Sequence, residues 1–165
     1  MADFEIKVTI TPDSVAYLKK LYDMPSQVPS AIRRGLDSAL QTVKKNLIER
    51  RLSGTGPFPP SEHRLGEVTG TLQESVYVRT SMGGAYVTGV IGSDVIYAPV
   101  HEYGAVISAK NAPFLVFKIL GQTYRAKSVT IPERAPFRTE VESLESVALI
   151  SGEVVAEVES LASEE

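Results

Sequence analysis

The chain is 165 residues long, contains no cysteine and carries a net charge of −3. This length predicts one domain, residues 1–165. The absence of cysteine excludes disulfides, thiolate nucleophiles and cysteine-ligated zinc sites. The net negative charge does not indicate general nucleic-acid binding. No apolar run reaches the roughly 20 residues that span a bilayer.

The chain begins with the pattern of a half-buried β-strand. Apolar and polar residues alternate from Phe4 to Ile10, which places the apolar ones on one face. The segment lacks a basic stretch followed by an apolar core, so we do not expect a signal peptide but a cytosol-like compartment. Thr11-Pro12-Asp13 then predicts the start of a short helix that continues through Leu21.

A long amphipathic helix is predicted from Pro29 to Ser53, with Gly54 marking its end. Its apolar residues recur at steps of three and four and form one stripe: Val28, Ile32, Leu36, Leu40, Val43 and Leu47. Gly35 lies inside this helix and weakens it by roughly 1 kcal/mol relative to alanine. We therefore expect a close helix crossing at Gly35.

The opposite face of this helix is basic. Its six cations are Arg33, Arg34, Lys44, Lys45, Arg50 and Arg51. One interpretation is a solvated helix face whose C-terminal cations are favoured by the helix dipole. The other is a surface that meets an acidic partner or a DNA backbone, and the sequence leaves both open.

Residues 53–69 are predicted to form an extended loop, because three prolines and several glycines disfavour regular structure there. A loop this long is uncommon in a compact domain and is usually functional or disordered. We expect a neighbouring subunit or partner to help hold it. Phe58 and Arg64 are its candidate contact residues.

Two β-hairpins and a C-terminal helix are predicted for the rest of the chain. The first hairpin joins residues 75–79 to 85–91 through Ser81–Gly84, and the second joins 114–119 to 124–129 through 120–123. Helical spacing returns from Thr139 onward, with a kink or split expected at Ser151-Gly152. The predicted fold class is α+β: an antiparallel sheet packed by the long helix, with a further C-terminal helix.

No set of residues indicates an enzyme. The two histidines, His63 and His101, each adjoin a glutamate, but an HEXXH motif is absent. The nucleophile elbow GxSxG and the Lys-Ser/Thr ending of a phosphate loop are absent too. We therefore predict no catalytic residue, no metal and no cofactor. A small hydrolase that uses His101 and Glu102 and a nucleic-acid binding module that uses the basic face remain as alternatives.

Three segments, in order, resemble the neck and tail-completion proteins of long-tailed bacteriophages. They are VTGTLQESV (Val68–Val76), IGSDVIYAPVHEYG (Ile91–Gly104) and IPERAPFR (Ile131–Arg138). The matching residues are Thr69, Gly70, Leu72, Ser75, Gly92, Tyr97, Ala98, Glu102, Tyr103, Gly104, Pro132, Arg134, Pro136, Phe137 and Arg138. The chain departs from the family pattern at the inserted Ala135 and in the long stretch 108–129, which resembles the Mu-like branch.

The resemblance implies a structural virion protein that joins the phage head or connector to the tail. A tail terminator or another minor tail protein is the alternative within this class. The implied partners are further copies in a ring, expected to be a hexamer, connector or head-completion proteins, tail-terminator or tail-tube proteins, and genomic DNA in the channel. The implied location is the head–tail interface of the virion, and the host cytoplasm during assembly, with no membrane partner.

The resemblance also implies interface residues. Besides Phe58 and Arg64 they are Tyr97, Pro99, Glu102, Tyr103, Gly104, Arg134 and Phe137. Pro99 fixes a bend, the tyrosine rings suit an interface, and Gly104 permits a positive φ. Glu102 is expected to accept hydrogen bonds from turn amides or to pair with an arginine such as Arg134. For Tyr97 and Ala98, packing in the chain's own core is an equal alternative.

Overall fold

The structure is a computed structural model and describes residues 4–11, 27–55, 63–83, 86–119 and 121–162. The predicted short helix through Leu21 lies outside these residues. The described part confirms the predicted fold class. An antiparallel sheet packs against a long helix, and a further helix follows near the C-terminus.

The main sheet contains β1 (Phe4–Ile10), β4 (Val76–Gly83) and β5 (Tyr86–Ser93). All pairs are antiparallel, and β5 is the central strand. Ile91 on β5 pairs with Ile6 on one side and Val78 on the other, so this register places apolar residues on one face. The first predicted hairpin is confirmed, but its turn is shorter than predicted because β4 continues to Gly83.

Helix α1 (Val28–Leu47) carries the predicted apolar stripe, and the structure confirms it. All six stripe residues are fully buried, at 0% exposure. A π-helical turn at Ile48–Leu52 follows and ends one residue before the predicted helix end at Ser53. The Arg51 carbonyl in this turn accepts a hydrogen bond from the Leu65 amide at 2.7 Å, which ties the returning loop to the helix end.

Two further helices follow the sheet, α4 (Pro136–Val141) and α5 (Leu144–Ala162). The predicted split at Ser151-Gly152 is wrong, because α5 runs through both residues. The interruption lies at Glu142-Ser143 instead. There the Ser143 hydroxyl accepts a hydrogen bond from the Ser146 amide (3.1 Å) and caps α5.

The close helix crossing expected at Gly35 is confirmed. Helix α5 packs on α1, and a Cβ at Gly35 would lie 2.7 Å from both the Glu153 carbonyl oxygen and the Val154 Cα. These are backbone atoms of α5, so no side-chain rotation relieves the contact. The glycine therefore sets how near the two helices lie.

Residues 105–119 and 121–131 form a two-stranded antiparallel ribbon, which we call the arm. Its base pairs β6 (Ala105–Ser108) with β9 (Ser128–Ile131), and its tip pairs β7 (Leu115–Ile119) with β8 (Gln122–Ala126). The second predicted hairpin is thus confirmed, with two corrections. Ile119 pairs with Gln122, so the turn is shorter than predicted, and residues 128 and 129 belong to β9.

The described part of the predicted loop contains short regular structure that the sequence reasoning missed. Strand β2 (Gly54–Thr55) pairs in parallel with β3 (Gly66–Glu67), and α2 (Thr71–Glu74) follows. The Gly54 amide also donates to the Leu65 carbonyl at 2.9 Å. One more short helix, α3 (Ala98–Tyr103), connects β5 to the arm.

Candidate assembly surface

The segment VIYAPVHEYG folds as a turn followed by α3. The Ala98 amide donates to the Val95 carbonyl at 2.9 Å, and Pro99 occupies the first turn of the helix, where its missing amide hydrogen costs nothing. Gly104 ends the helix at φ 71°, which confirms the predicted positive φ. A Cβ on Gly104 would lie 2.8 Å from the Glu133 nitrogen, so the position also permits a close backbone approach.

Glu102 joins α3 to α4. Its two carboxylate oxygens accept hydrogen bonds from the Phe137 amide (3.1 Å) and the Arg138 amide (3.0 Å) at the start of α4. The first of the two predicted partnerships, with backbone amides, is therefore confirmed. Burial raises the pKa of the Glu102 carboxyl, and the two amide hydrogen bonds lower it in part.

Backbone hydrogen bonds strengthen the same junction. The Arg134 amide donates to the His101 carbonyl (3.0 Å), and the Ala135 amide donates to the Glu102 carbonyl (3.2 Å). Ala135, the residue inserted relative to the family pattern, has φ 45° and immediately precedes α4. The second and third family-like segments are thus one structural unit.

The first family-like segment joins this unit through serines. Ser75 and Ser93 hydroxyls lie 2.7 Å apart, and Ser93 also accepts a hydrogen bond from the Val95 amide at 3.2 Å. Gly70 has φ 74° and precedes α2. The structure therefore brings all three segments into contact, although about 60 residues of chain separate the first from the last.

The predicted interface residues divide into buried supports and exposed surface. Glu102 and Phe137 are both buried, and the Phe137 ring packs edge-on against Phe4 with centroids 5.0 Å apart. Glu102 and Phe137 therefore support the predicted interface from the interior and are not part of the exposed surface. Tyr103 is exposed, although one edge of its ring packs on Phe4 at 5.7 Å.

Tyr97 and its neighbour Ala98 have different environments. Ala98 is buried in the core, whereas Tyr97 is exposed and its ring packs edge-on against His101 with centroids 6.0 Å apart. Burial lowers the pKa of His101, and the positive charge of Arg134 lowers it further. Both rings line a groove between the body of the chain and the arm.

The sequence reasoning did not predict this groove. It has a volume of about 580 Å³ and is lined by apolar residues from both sides. From the arm come Phe117, Ile119, Val129 and Ile131, and from the body come Leu52, Leu65, Val68 and Leu72. The alternation of apolar residues along β7 is the sequence signal that predicts such a face.

The two candidate residues of the 53–69 loop are only partly described. Phe58 lies outside the described residues. Arg64 is half-buried, and its Nη2 donates to the Ser53 carbonyl at 3.1 Å, so it holds the end of the π-helical turn. The Nδ1 of the neighbouring His63 donates a hydrogen bond to the Arg134 carbonyl (2.9 Å).

Half of the basic helix face is paired with glutamates of the chain itself. Arg34 pairs with Glu157, and Arg50 pairs with Glu145, in ion pairs that face solvent. Arg51 donates from Nε to Glu140 at 2.8 Å, and this carboxylate is fully buried. Arg33 and Lys45 are exposed and Lys44 is half-buried, so the unshielded cationic surface is smaller than the sequence indicates.

The pKa values of Arg50 and Glu145 are shifted in the directions that favour the charged forms. The hydrogen bond from Arg50 lowers the pKa of Glu145, and the same bond raises the pKa of Arg50. Exposed pairs of this kind contribute little to stability, because solvent screens the two charges.

Within the described ranges, no group of three or more acidic, histidine or cysteine side chains is arranged to hold a metal ion. No helix in those ranges is long and apolar enough to cross a membrane. No protein-family model matches the chain. No curated protein and no solved structure matches it either.

Proposed function

We propose that this chain is a head–tail joining protein of a long-tailed bacteriophage, a neck or tail-completion component that acts by assembling into a ring. The arm carries this proposal. Its outer and inner faces expose large apolar side chains, including Val106 at 67% and Val116 at 63%. Apart from pairing with each other, its tip strands β7 and β8 make no extensive contact with another described element.

An isolated two-stranded ribbon is marginally stable in water, so the arm needs a further surface to pack on. Exposed apolar patches of this kind mark sites of protein association. A ring supplies that surface once per subunit, because each copy meets the next through the same contact. The arm therefore suits a protein whose function is binding between subunits.

The junction of the three family-like segments supports the same function. Glu102 and Phe137 are buried and hold α3 against α4, while Tyr97 and Tyr103 remain exposed beside them. The segments that resemble the family thus present one surface on a rigid support. Tyrosine rings with polar tips are suited to such a contact.

A hydrolase that uses His101 and Glu102 has less support. Both Glu102 oxygens accept backbone amides of α4, so the carboxylate is committed to a structural contact. A general base must lie within hydrogen-bond reach of the group that it activates, and this carboxylate is turned to the chain interior. A nucleic-acid module also has less support, because three of its six cations pair with glutamates.

The proposed position in the virion rests on the resemblance to the neck and tail-completion family. The chain would sit in the virion between the connector or head-completion ring and the tail-terminator or tail-tube ring, as a hexamer around the channel through which genomic DNA passes. Arg33 and Lys45 are exposed cations on the basic face, and they would meet that DNA or an acidic neighbour. Assembly would take place in the host cytoplasm.

Joining in an extract tests this function. Host cells infected with phage that lack this chain should accumulate separate DNA-filled heads and separate tails, and the purified chain should restore joined, infectious particles. A Tyr97→Ala, Tyr103→Ala variant that keeps the wild-type circular dichroism spectrum should restore fewer. Normal joined particles in the absence of the chain would rule out the proposed function.

A further inference from the structure

Helix α5 presents a second apolar surface that its own chain does not cover. One face, with Val154 and Val158, is buried against α1. On another face Leu144 is 90% exposed, and Val147 and Val155 are exposed as well. These residues, with the exposed Ala148, lie on one side of the helix over about 16 Å, with the exposed Ser151 between Ala148 and Val155, and we call them the open row.

The groove beside the arm is the other unmatched apolar surface. Antiparallel pairing places Phe117 beside Tyr124, with their rings stacked at 6.0 Å, and Ile107 beside Val129, so the apolar side chains share the inner face. The same chain's open row does not fill this groove, because Leu144 is almost completely exposed. Among the described residues, none of α5 lines the groove, so the groove is open to a second copy of the chain.

The two segments that carry these surfaces have opposite net charges. Residues 105–131 contain four cations, Lys110, Lys118, Arg125 and Lys127, and no acidic residue. Residues 139–165 contain eight glutamates and neither lysine nor arginine. Of these glutamates, Glu142, Glu145 and Glu159 are exposed, and Glu145 already pairs with Arg50 of its own chain. Opposite charges on surfaces that meet increase the association rate and fix the orientation.

We propose that the groove of one copy takes the open row of α5 from the next copy. The two surfaces differ, so the contact is heterologous, head to tail, and repeats around a ring when the rotation closes. This inference rests on the proposed function because it names the contact that would build its ring. The driving force is burial of apolar side chains on both surfaces, with the arm cations and the α5 glutamates selecting the orientation.

Single aspartate substitutions on each surface test the contact. Leu144→Asp changes the open row, and Val68→Asp changes the groove, where Val68 is 74% exposed. Because both side chains are exposed, neither change disturbs the core. Met82→Asp, on β4 away from both surfaces, is the matched control for an exposed apolar side chain replaced by a charge.

Sedimentation of each protein gives the expected pattern. Wild type and Met82→Asp should form the same ring, and each of the other two variants should associate at least tenfold more weakly. An equal mixture of Leu144→Asp and Val68→Asp should form dimers that grow no further. In that dimer the intact row of the Val68→Asp protein occupies the intact groove of the Leu144→Asp protein.

The outcomes separate the contact from the function. If both variants assemble as wild type does, or if their mixture stays monomeric, this contact is wrong while the joining function stands. If the mixture forms dimers but the wild-type protein fails to join heads to tails, the contact is supported and the proposed function is overturned. A wild type that stays monomeric at high concentration overturns both the contact and the ring.

Discussion

The body and the arm use the same kinds of apolar residue but bury them to different extents. In the body, which comprises all described elements outside the arm, the α1 stripe is fully buried against strands and helix. In the arm, Val106, Ile107 and Val116 remain between 43% and 67% exposed. The body completes its core within one chain, whereas the arm has apolar surface left for a second one.

The largest expected difference between the regions is in stability. Phe137→Ala removes a ring that packs on Phe4 at 5.0 Å in the core and should lower the free energy of unfolding by about 3–5 kcal/mol. Phe117→Ala removes a ring of the arm that stacks on Tyr124, with centroids 6.0 Å apart. This change should lower the free energy of unfolding by less than about 1 kcal/mol. Urea unfolding followed by circular dichroism measures both.

The arm substitution should instead weaken self-association, because Phe117 lines the groove. Equal losses of stability in the two variants would contradict the division into a self-sufficient body and an arm that awaits a partner.

Two glycines in the body, one in a packed position and one in an open position, should respond to alanine substitution in opposite directions. Gly35→Ala places a Cβ against the α5 backbone and should destabilise the chain by about 1–3 kcal/mol. Gly152→Ala adds a Cβ with nothing within 4 Å, so it should stabilise α5 by roughly 0.5–1 kcal/mol. Thermal unfolding of the two variants provides the measurement, and shifts of Tm in the same direction would show that the crossing is not close.

The smallest expected effect concerns pH at His101, where the body meets the arm. Because the folded-state pKa of this imidazole is lowered, the folded chain binds the proton less readily than the unfolded chain. Its contribution to stability is fully present above the unfolded value of 6.5 and is lost as the pH falls through the folded-state pKa. Wild type should therefore lose more stability than His101→Gln when acidified.

Thermal unfolding of both proteins between about pH 7.5 and about pH 5 measures this difference. The acidic residues are common to both proteins and cancel in the comparison, unless the substitution changes the environment of the neighbouring Glu102, for which a Glu102→Gln variant controls. Identical pH profiles for wild type and His101→Gln would show that the imidazole is equally protonated in both states.

The sequence allowed good prediction where a single period repeats for many residues. The α1 stripe and the β1 alternation were found because each residue's environment follows from its neighbours three, four or two positions away. Boundaries were less certain. Gly152 indicated a break in α5, but packing against α1 offsets its low helix propensity, and the chain breaks at Ser143 where a hydroxyl caps the next helix.

The candidate residues show the same division. The sequence marked Glu102 and Phe137 as important, yet it did not reveal that both are buried supports, because their partners lie on an element about 35 residues away. Pairing of Arg34, Arg50 and Arg51 with the C-terminal glutamates was also missed. The helical period locates these cations on one face but says nothing about which other helix packs beside it.

By itself, the sequence determined the kind and order of the long elements and the apolar face of each, since these follow from local spacing. Only the tertiary structure decided that the three family-like segments meet, that a groove opens between body and arm, and that α5 has an uncovered apolar row. These features depend on contacts between residues far apart in the chain. Their geometry is set by packing between elements, which no local pattern encodes.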